Sequence, residues 1–226
     1  MGNDISSRTI LTEAVLPQAP DQIVEQIVNF KELMMVYNSA IREVTTKLEI
    51  LNDELSLGDR KNPIQFIKSR VKKPLSIVDK LNRLEKDISV ESIMTSLNDV
   101  AGIRVISSFI DDVYKISDML VKQDDIFFIE AKDYIKNPKP NAYRSYHLII
   151  EVPVYFSDKK ERVRVEIQIR TVAMDFWASV EHQLKYKQDF KDSQEIEEEL
   201  KECAETISST DLKMMELRDR INKIKT

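Results

Sequence analysis

The sequence predicts an α+β fold: a small mixed β-sheet with helices packed on it, framed by a long helix near each end. Three observations lead there. Residues Arg162–Thr171 alternate apolar and polar without a break. Two stretches, one early and one late, repeat apolar residues at steps of four and three. Between them, short segments of either period follow in the order helix, strand, helix, three strands, helix.

The alternating stretch is the sharpest signal. Val163, Val165, Ile167 and Ile169 fall on one side, and Arg162, Arg164, Glu166, Gln168 and Arg170 on the other. A period of two over this length is a strand with one face in a core. The other face lines up a carboxylate, an amide and guanidinium groups roughly 6–7 Å apart along the strand. That is a rigid platform for a polar, phosphorylated ligand.

In chain order, residues 1–20 carry Pro17 and Pro20 and read as a loosely held arm. Asp21 can cap a helix, and Ile23, Ile27, Phe30, Met34, Tyr37, Ile41, Val44, Leu48, Leu51 and Leu55 form a heptad stripe that Gly58 stops. Such a stripe calls for a partner helix. The late stripe, Ile196, Leu200, Cys203, Ile207, Thr210, Met214, Leu217, Ile221 and Ile224, is the expected partner, with Ser193 as its cap. Its glutamates crowd the first turns and its lysines the last, as the helix dipole prefers. Pro63–Arg70 reads as helical, and a second helix starts near Pro74. Gly102–Phe109, Ile126–Ala131 and Tyr146–Val154 read as strands, with a helix over Asp112–Gln123. Ser157–Lys160 is a turn into the alternating strand, and Thr171 opens a helix carrying Phe176, Trp177, Val180 and Leu184.

Composition narrows the function. The chain has 226 residues, 32% charged and 42% hydrophobic, with a net charge of −5 that argues against a general nucleic-acid coat. One cysteine, Cys203, fits a reducing compartment, and no apolar run approaches membrane-spanning length, so a cytoplasmic protein is expected. Only Gly2, Gly58 and Gly102 are glycines, too few and too scattered for a glycine-rich phosphate loop. Any nucleotide must be held by side chains.

The candidates are clear. Lys68–Lys86 holds seven basic residues against Asp79 and Glu85, a positive patch in an acidic chain. Ser76 and Lys80 lie four apart, on one face of a helix starting near Pro74. Arginine offers a fork and lysine a mobile charge for phosphate oxygens. Asp99 stands just before a strand that contains Arg104. Asp99 and Glu166 are the carboxylates suited to Mg²⁺, which prefers oxygen ligands shared with substrate phosphates. In the loop Lys136–His147, Tyr143 can stack on a base, while Lys139, Arg144 and His147 suit phosphates. His147 and His182 have no Cys or His partner at zinc spacing.

Four stretches in this order resemble the RelA/SpoT-type (p)ppGpp synthetase domain, and specifically the bacterial small alarmone synthetases. They are residues 69–81 (Ser-Arg-Val-Lys-Lys-Pro-Leu-Ser-Ile-Val-Asp-Lys-Leu), 99–105 (Asp-Val-Ala-Gly-Ile-Arg-Val), 133–147 and 165–182. The resemblance implies a nucleotidyltransferase-like sheet and transfer of pyrophosphate from ATP to the ribose 3′-hydroxyl of GDP or GTP. It implies that Arg70 and Arg104 sandwich adenine while Lys72, Ser76 and Lys80 hold the ATP phosphates. Asp99 and Glu166 would bind Mg²⁺, with Glu166 also helping to activate the acceptor. Lys139, Asn141, Tyr143, Arg144, His147, Gln168, Arg170 and Glu181 would form the GDP/GTP side. It divides the chain into an arm (1–20), an N-terminal oligomerisation helix (21–58), the synthetase domain (59–190) and a C-terminal oligomerisation helix (191–226), assembled as a homotetramer. Two departures stand out. Ala142 occupies a position where the family usually has glycine, so a freely accessible positive φ is not expected there. No His-Asp pair exists, so hydrolysis of the alarmone is not expected. Two other readings compete: pyrophosphate transfer to the 3′ end of tRNA, and a nucleotide- or RNA-binding regulator without turnover. The retained Asp99 and Glu166 argue against the latter. RNA binding has no support in the sequence, and neither DNA nor a membrane is an expected partner.

Overall fold

The computed structural model describes residues 20–57, 62–187 and 194–224. Among them, six helices surround one five-stranded sheet. The order is α1 (Pro20–Ser56), β1 (Ile64–Val71), α2 (Pro74–Arg83), α3 (Val90–Ser96), β2 (Ala101–Ser107), α4 (Ile110–Val121), β3 (Phe127–Asp133), β4 (Tyr146–Tyr155), β5 (Lys160–Thr171), α5 (Val172–Lys187) and α6 (Gln194–Ile224). The arm over 1–19, the helix stop at Gly58 and the cap at Ser193 lie outside the described residues.

The strand order is β1-β2-β5-β4-β3. β2 and β5 run parallel, and the other neighbours are antiparallel. The alternation read in β5 is real: Val163, Val165, Ile167 and Ile169 are buried. β2 pairs Ile103 with Ile167 and Val105 with Ile169. β4 pairs Leu148 with Ile167 and Ile150 with Val165. Paired residues share a face, so the three central strands make one continuous apolar surface.

That surface is covered by α1. Leu33, Val36, Tyr37, Ala40, Ile41, Val44, Leu48 and Leu51 all enter the core, and α1 touches β1, β2, β4 and β5. Val113, Ile116 and Leu120 of α4 join it. The heptad stripe therefore marks a buried face correctly, but its partner over these turns is the chain's own sheet rather than α6. Asp21 falls inside α1, which begins at Pro20. The first turns extend past the sheet and leave Val24, Ile27 and Val28 exposed.

Two further segments differ from expectation. Pro63–Arg70, read as helical, is strand from Ile64 onward, with β1 running on to Val71. Ile64, Ile67 and Val71 recur at helical spacing, yet pairing along β2 overrides that pattern. α3 was not anticipated; it spans seven residues, with Ser89 Oγ accepting from the Ser92 N–H at 3.0 Å. α6 docks through Ala204 and Asp211, with the Trp177 indole of α5 donating to Leu200 O at 3.0 Å. Beyond Asp211 its stripe turns outward, exposing Met214, Leu217, Ile221 and Ile224; Cys203 is exposed as well. Among the described residues no helix is long and apolar enough to cross a membrane.

Leu48 is fully buried between α1 and the sheet. Leu48→Ala is expected to lower unfolding free energy by about 2–5 kcal/mol, as large-to-small core changes do. The loss, read by denaturant titration, should be independent of protein concentration, because the contacts lie within one chain.

Candidate active site

The face of the sheet opposite α1 carries the polar residues in two rows. Arg70 pairs with Gly102, Gly102 with Glu166, and Glu166 with Ile149. One step along, Lys68 pairs with Arg104, Arg104 with Gln168, and Gln168 with His147. A cleft of about 260 Å³ opens over these rows, lined by Arg70, Asp99, Arg104, Glu166 and Gln168 together with Lys68, Ser69, Gly102 and Ile103. A Cβ on Gly102 would make only ordinary contacts, at 3.7 Å from Arg70 O. The glycine thus keeps the floor of the cleft low, with no backbone requirement behind it.

Asp99 sits in the loop entering β2. The Lys72 ammonium donates to its Oδ2 at 2.7 Å, and Lys80 lies 2.8 Å from Oδ1. Burial pushes the Asp99 carboxyl up, but the two ammonium groups more than offset it and hold it below the usual range. Lys80 approaches Oδ1 off the hydrogen-bonding axis, so this buried oxygen has an ion-pair partner but no aligned donor. The loop itself is fixed from β5: Arg164 donates to Asn98 Oδ1 at 3.2 Å, to Thr95 O at 3.0 Å and to Glu151 at 3.1 Å.

Glu166 is held from both sides, by His147 Nδ1 on Oε1 at 3.1 Å and by the Gln168 amide donating to Oε2 at 3.1 Å. Burial raises its pKa and nearby Asp99 adds to that, yet His147 and Gln168 outweigh both and keep it ionised below its ordinary value. His147 Nε2 in turn meets the Tyr143 hydroxyl at 2.9 Å. Arg170 underlies this group. Only 4% exposed, it donates to the Tyr143 hydroxyl at 2.5 Å, Gln168 Oε1 at 2.9 Å, Ser145 Oγ at 3.3 Å and Asp175 Oδ1 at 3.1 Å. A guanidinium that spends four hydrogen bonds on its neighbours in this way is a scaffold for the site.

The loop between β3 and β4 presents Tyr143. Lys139 Nζ lies 4.8 Å from the Tyr143 ring centroid and 4.7 Å from that of Tyr134. The Asn141 amide donates to Glu181 of α5 at 3.2 Å. Ala142 adopts φ 62°, and its N–H donates to Lys139 O at 2.7 Å. The loop therefore takes the left-handed turn even with alanine in place.

The structure brings together Arg70, Asp99, Arg104, Glu166 and Gln168 in the cleft, with Lys72 and Lys80 on Asp99 and with His147, Tyr143 and Arg170 behind Glu166. Four expected residues stand apart; two of them, Asn141 and Glu181, pair with each other beside α6. Ser76 is exposed on α2, outside the cleft lining. Arg144 turns to α6, where it donates to Glu205 at 2.9 and 3.1 Å. Sequence reasoning missed Arg164, Ser145 and Asp175. Asp175 bridges Arg170 and Arg104, the latter at 3.2 Å. Its only signal was an acid in the first turn of a helix, which the helix dipole explains equally well.

Residues 69–191 match the family described as the region found in RelA / SpoT proteins. The chain is 42% identical to GTP pyrophosphokinase YwaC of Bacillus subtilis (strain 168), over 86% of this chain and 92% of that protein. Its structure is similar to that of small alarmone synthetase 1 from Bacillus subtilis bound to its product pppGpp, with TM-score 0.77, 34% identity, and coverage of 85% of this chain and 97% of that one. The same synthetase bound to AMPCPP matches with TM-score 0.71 and 30% identity, over 85% and 97%. The sheet and its flanking helices thus form the nucleotidyltransferase-like α+β fold of small alarmone synthetases, and the chain belongs to the RelA/SpoT family.

The Ala142 conformation yields a direct test. A left-handed residue with a Cβ is strained by roughly 1–2 kcal/mol, and glycine gives back about 0.4–1 kcal/mol through the freer unfolded chain. Ala142→Gly is therefore expected to raise stability by roughly 0.5–1 kcal/mol in a denaturant titration, with the loop geometry retained.

Proposed function

We propose that this protein synthesises (p)ppGpp by moving the pyrophosphate group of ATP onto the ribose 3′-hydroxyl of GDP or GTP. The observation that carries this reading is the cleft. It sets two ionised carboxylates, Asp99 and Glu166, between a basic, arginine-lined side and a tyrosine-bearing loop. The relatives named GTP pyrophosphokinase support a guanine nucleotide over a tRNA end as acceptor.

On the donor side, Arg70 and Arg104 pack on adenine, and Lys72, Lys80 and Ser76 take the ATP phosphates. Lys72 and Lys80 now neutralise Asp99, so they are already oriented toward the cleft. On the acceptor side Tyr143 stacks on guanine, and Lys139 and His147 meet the phosphates. Arg170, Gln168, Asn141 and Glu181 hold that wall in place. Arg144 acts from behind the loop through Glu205. The acceptor oxygen attacks the β-phosphorus of ATP. The new bond is O3′–Pβ, the bond broken joins Pβ to the oxygen bridging from Pα, and AMP leaves. The 3′-hydroxyl proton passes to Glu166, which His147 supports. Most of the rate gain comes from alignment and charge neutralisation, as in other phosphoryl transfers.

The donor set fits Mg²⁺. Asp99 and Glu166 offer hard oxygen atoms, and Asp99 Oδ1 lacks an aligned donor. Among the described residues no group of three or more His, Cys, Asp or Glu side chains forms a ready-made cage. Two carboxylates completed by substrate phosphates is the usual magnesium arrangement. Bound there, the ion would neutralise charge on the transferred group.

Incubation with γ-labelled ATP and Mg²⁺ in the presence of GMP, GDP, GTP or tRNA tests the reading. Label is expected on GDP or GTP. Transfer to tRNA alone would replace the acceptor, and no transfer to any of them would overturn the proposal. Glu166→Gln keeps the shape, because Gln168 and His147 can each re-pair with an amide. It should leave the melting temperature near wild type while lowering synthesis by about 10²–10⁴-fold, the range for loss of a general base.

Assembly as a homotetramer fits the surfaces left open, namely the first turns of α1 and the outward stripe of α6 from Met214 to Ile224. Light scattering at micromolar concentration should give four chains. Leu217→Asp with Ile221→Asp should split the assembly without unfolding the monomer, since both side chains are exposed in the single chain. A wild-type monomer, or a tetramer indifferent to both changes, would contradict this arrangement.

A further inference from the structure

We infer that Asp175 is a positioning residue that couples the two nucleotide subsites, because one carboxylate oxygen ties the arginine facing the donor to the arginine beneath the acceptor loop. The inference rests on the synthetase reading for what each subsite holds. Asp175 belongs to neither subsite. It lies in the first turn of α5, immediately beyond the end of β5, and its side chain is 13% exposed. Its Oδ1 meets Arg104 at 3.2 Å and Arg170 at 3.1 Å.

The two arginines differ in freedom. The Arg104 side chain is 35% exposed and lines the cleft. Arg170 is buried and also donates to Tyr143, Gln168 and Ser145. Burial and the neighbouring Arg170 charge both push the Arg104 pKa down, and Asp175 works against them. Without that carboxylate, two close guanidiniums would face each other across a half-buried space, and Arg104 would swing away into the cleft.

The contacts run on without a gap. From Arg170 they pass to the Tyr143 hydroxyl, then to His147 Nε2, then through His147 Nδ1 to Glu166. A base resting on Arg104 limits its rotamers, which fixes Asp175 and so the orientation of Arg170 and Tyr143. A base resting on Tyr143 does the same in reverse. Whichever nucleotide binds first orders groups that the second needs, and the second then loses less conformational freedom on binding. Linkage requires the effect to be equal in both directions.

The test is calorimetric titration of the full-length protein with Mg²⁺, using α,β-methylene ATP, whose Pα–Pβ link cannot be cleaved in this transfer, and GDP. In the wild type, saturation with either ligand is expected to tighten the other by about fivefold or more, the lower end of usual couplings. Asp175→Asn keeps the shape but loses the charge that holds both arginines. Its coupling factor should fall to within about twofold of one, while each nucleotide alone still binds. Asp175→Glu should recover part of the coupling. Tyr143→Phe keeps the aromatic face and cuts the same path at the hydroxyl, so it should lose coupling as well; if Asp175→Asn does not fold, this variant decides the matter. A wild type that binds both ligands independently overturns the inference, as does a folded Asp175→Asn or Tyr143→Phe protein with undiminished coupling. A wild type that binds neither ligand is a different failure, and it sinks the synthetase reading together with the inference.

Discussion

The parallel pairing of β2 with β5 is the contact on which the rest depends. It sets Gly102 beside Glu166, Arg104 beside Gln168 and Ile106 beside Arg170. On the reverse side the same register sets Ile103 beside Ile167 and Val105 beside Ile169. Core and cleft are therefore two faces of one ladder. A slip of a single residue would carry Glu166 into the apolar layer and Ile167 into the cleft. Burial of that layer under α1 is what pins the register, so the hydrophobic effect sets the spacing of the charged groups on the other side.

Charge on the polar face is balanced locally. Asp99 has Lys72 and Lys80, Glu166 has His147 and Gln168, and Arg104 and Arg170 share Asp175. Each partly buried charge would be costly alone. Paired in this way, the two carboxylates stay ionised without ligand.

Much of this was legible in the sequence, for reasons particular to each element. β5 was plain because its period is strict and only one of its faces is wet. Asp99, Glu166, Arg70 and Arg104 were legible through the stretches around them, and the structure gathers all four in one cleft. β1 was misread because an edge strand gives up much of its own pattern to its neighbour, and Ile64, Ile67 and Val71 happen to fall at helical spacing. The partner of α1 was misassigned because a heptad stripe states that a face is buried and is silent about what buries it. Asp175, Arg164 and the Arg144–Glu205 pair were out of reach for a third reason. Each joins elements far apart in the chain, and nothing at either end announces the other. Ala142 shows the limit of residue preference: the turn is held by its hydrogen bond to Lys139 and by Tyr143 packing, and alanine follows.

The place of α1 has a consequence for how the chain is made. α1 ends at Ser56, whereas the strands at the centre of the surface it covers end at Ser107, Tyr155 and Thr171. During synthesis, the apolar face from Leu33 to Leu51 emerges early and waits for more than half the chain before its cover exists. Contacts so distant in sequence form slowly, and a nascent helix with a bare apolar stripe is open to association with other chains meanwhile. The same stripe could pair transiently with its counterpart on a neighbouring nascent chain before the sheet displaces it. Folding and unwanted association between nascent chains thus compete for one surface, and completion of β5 closes it.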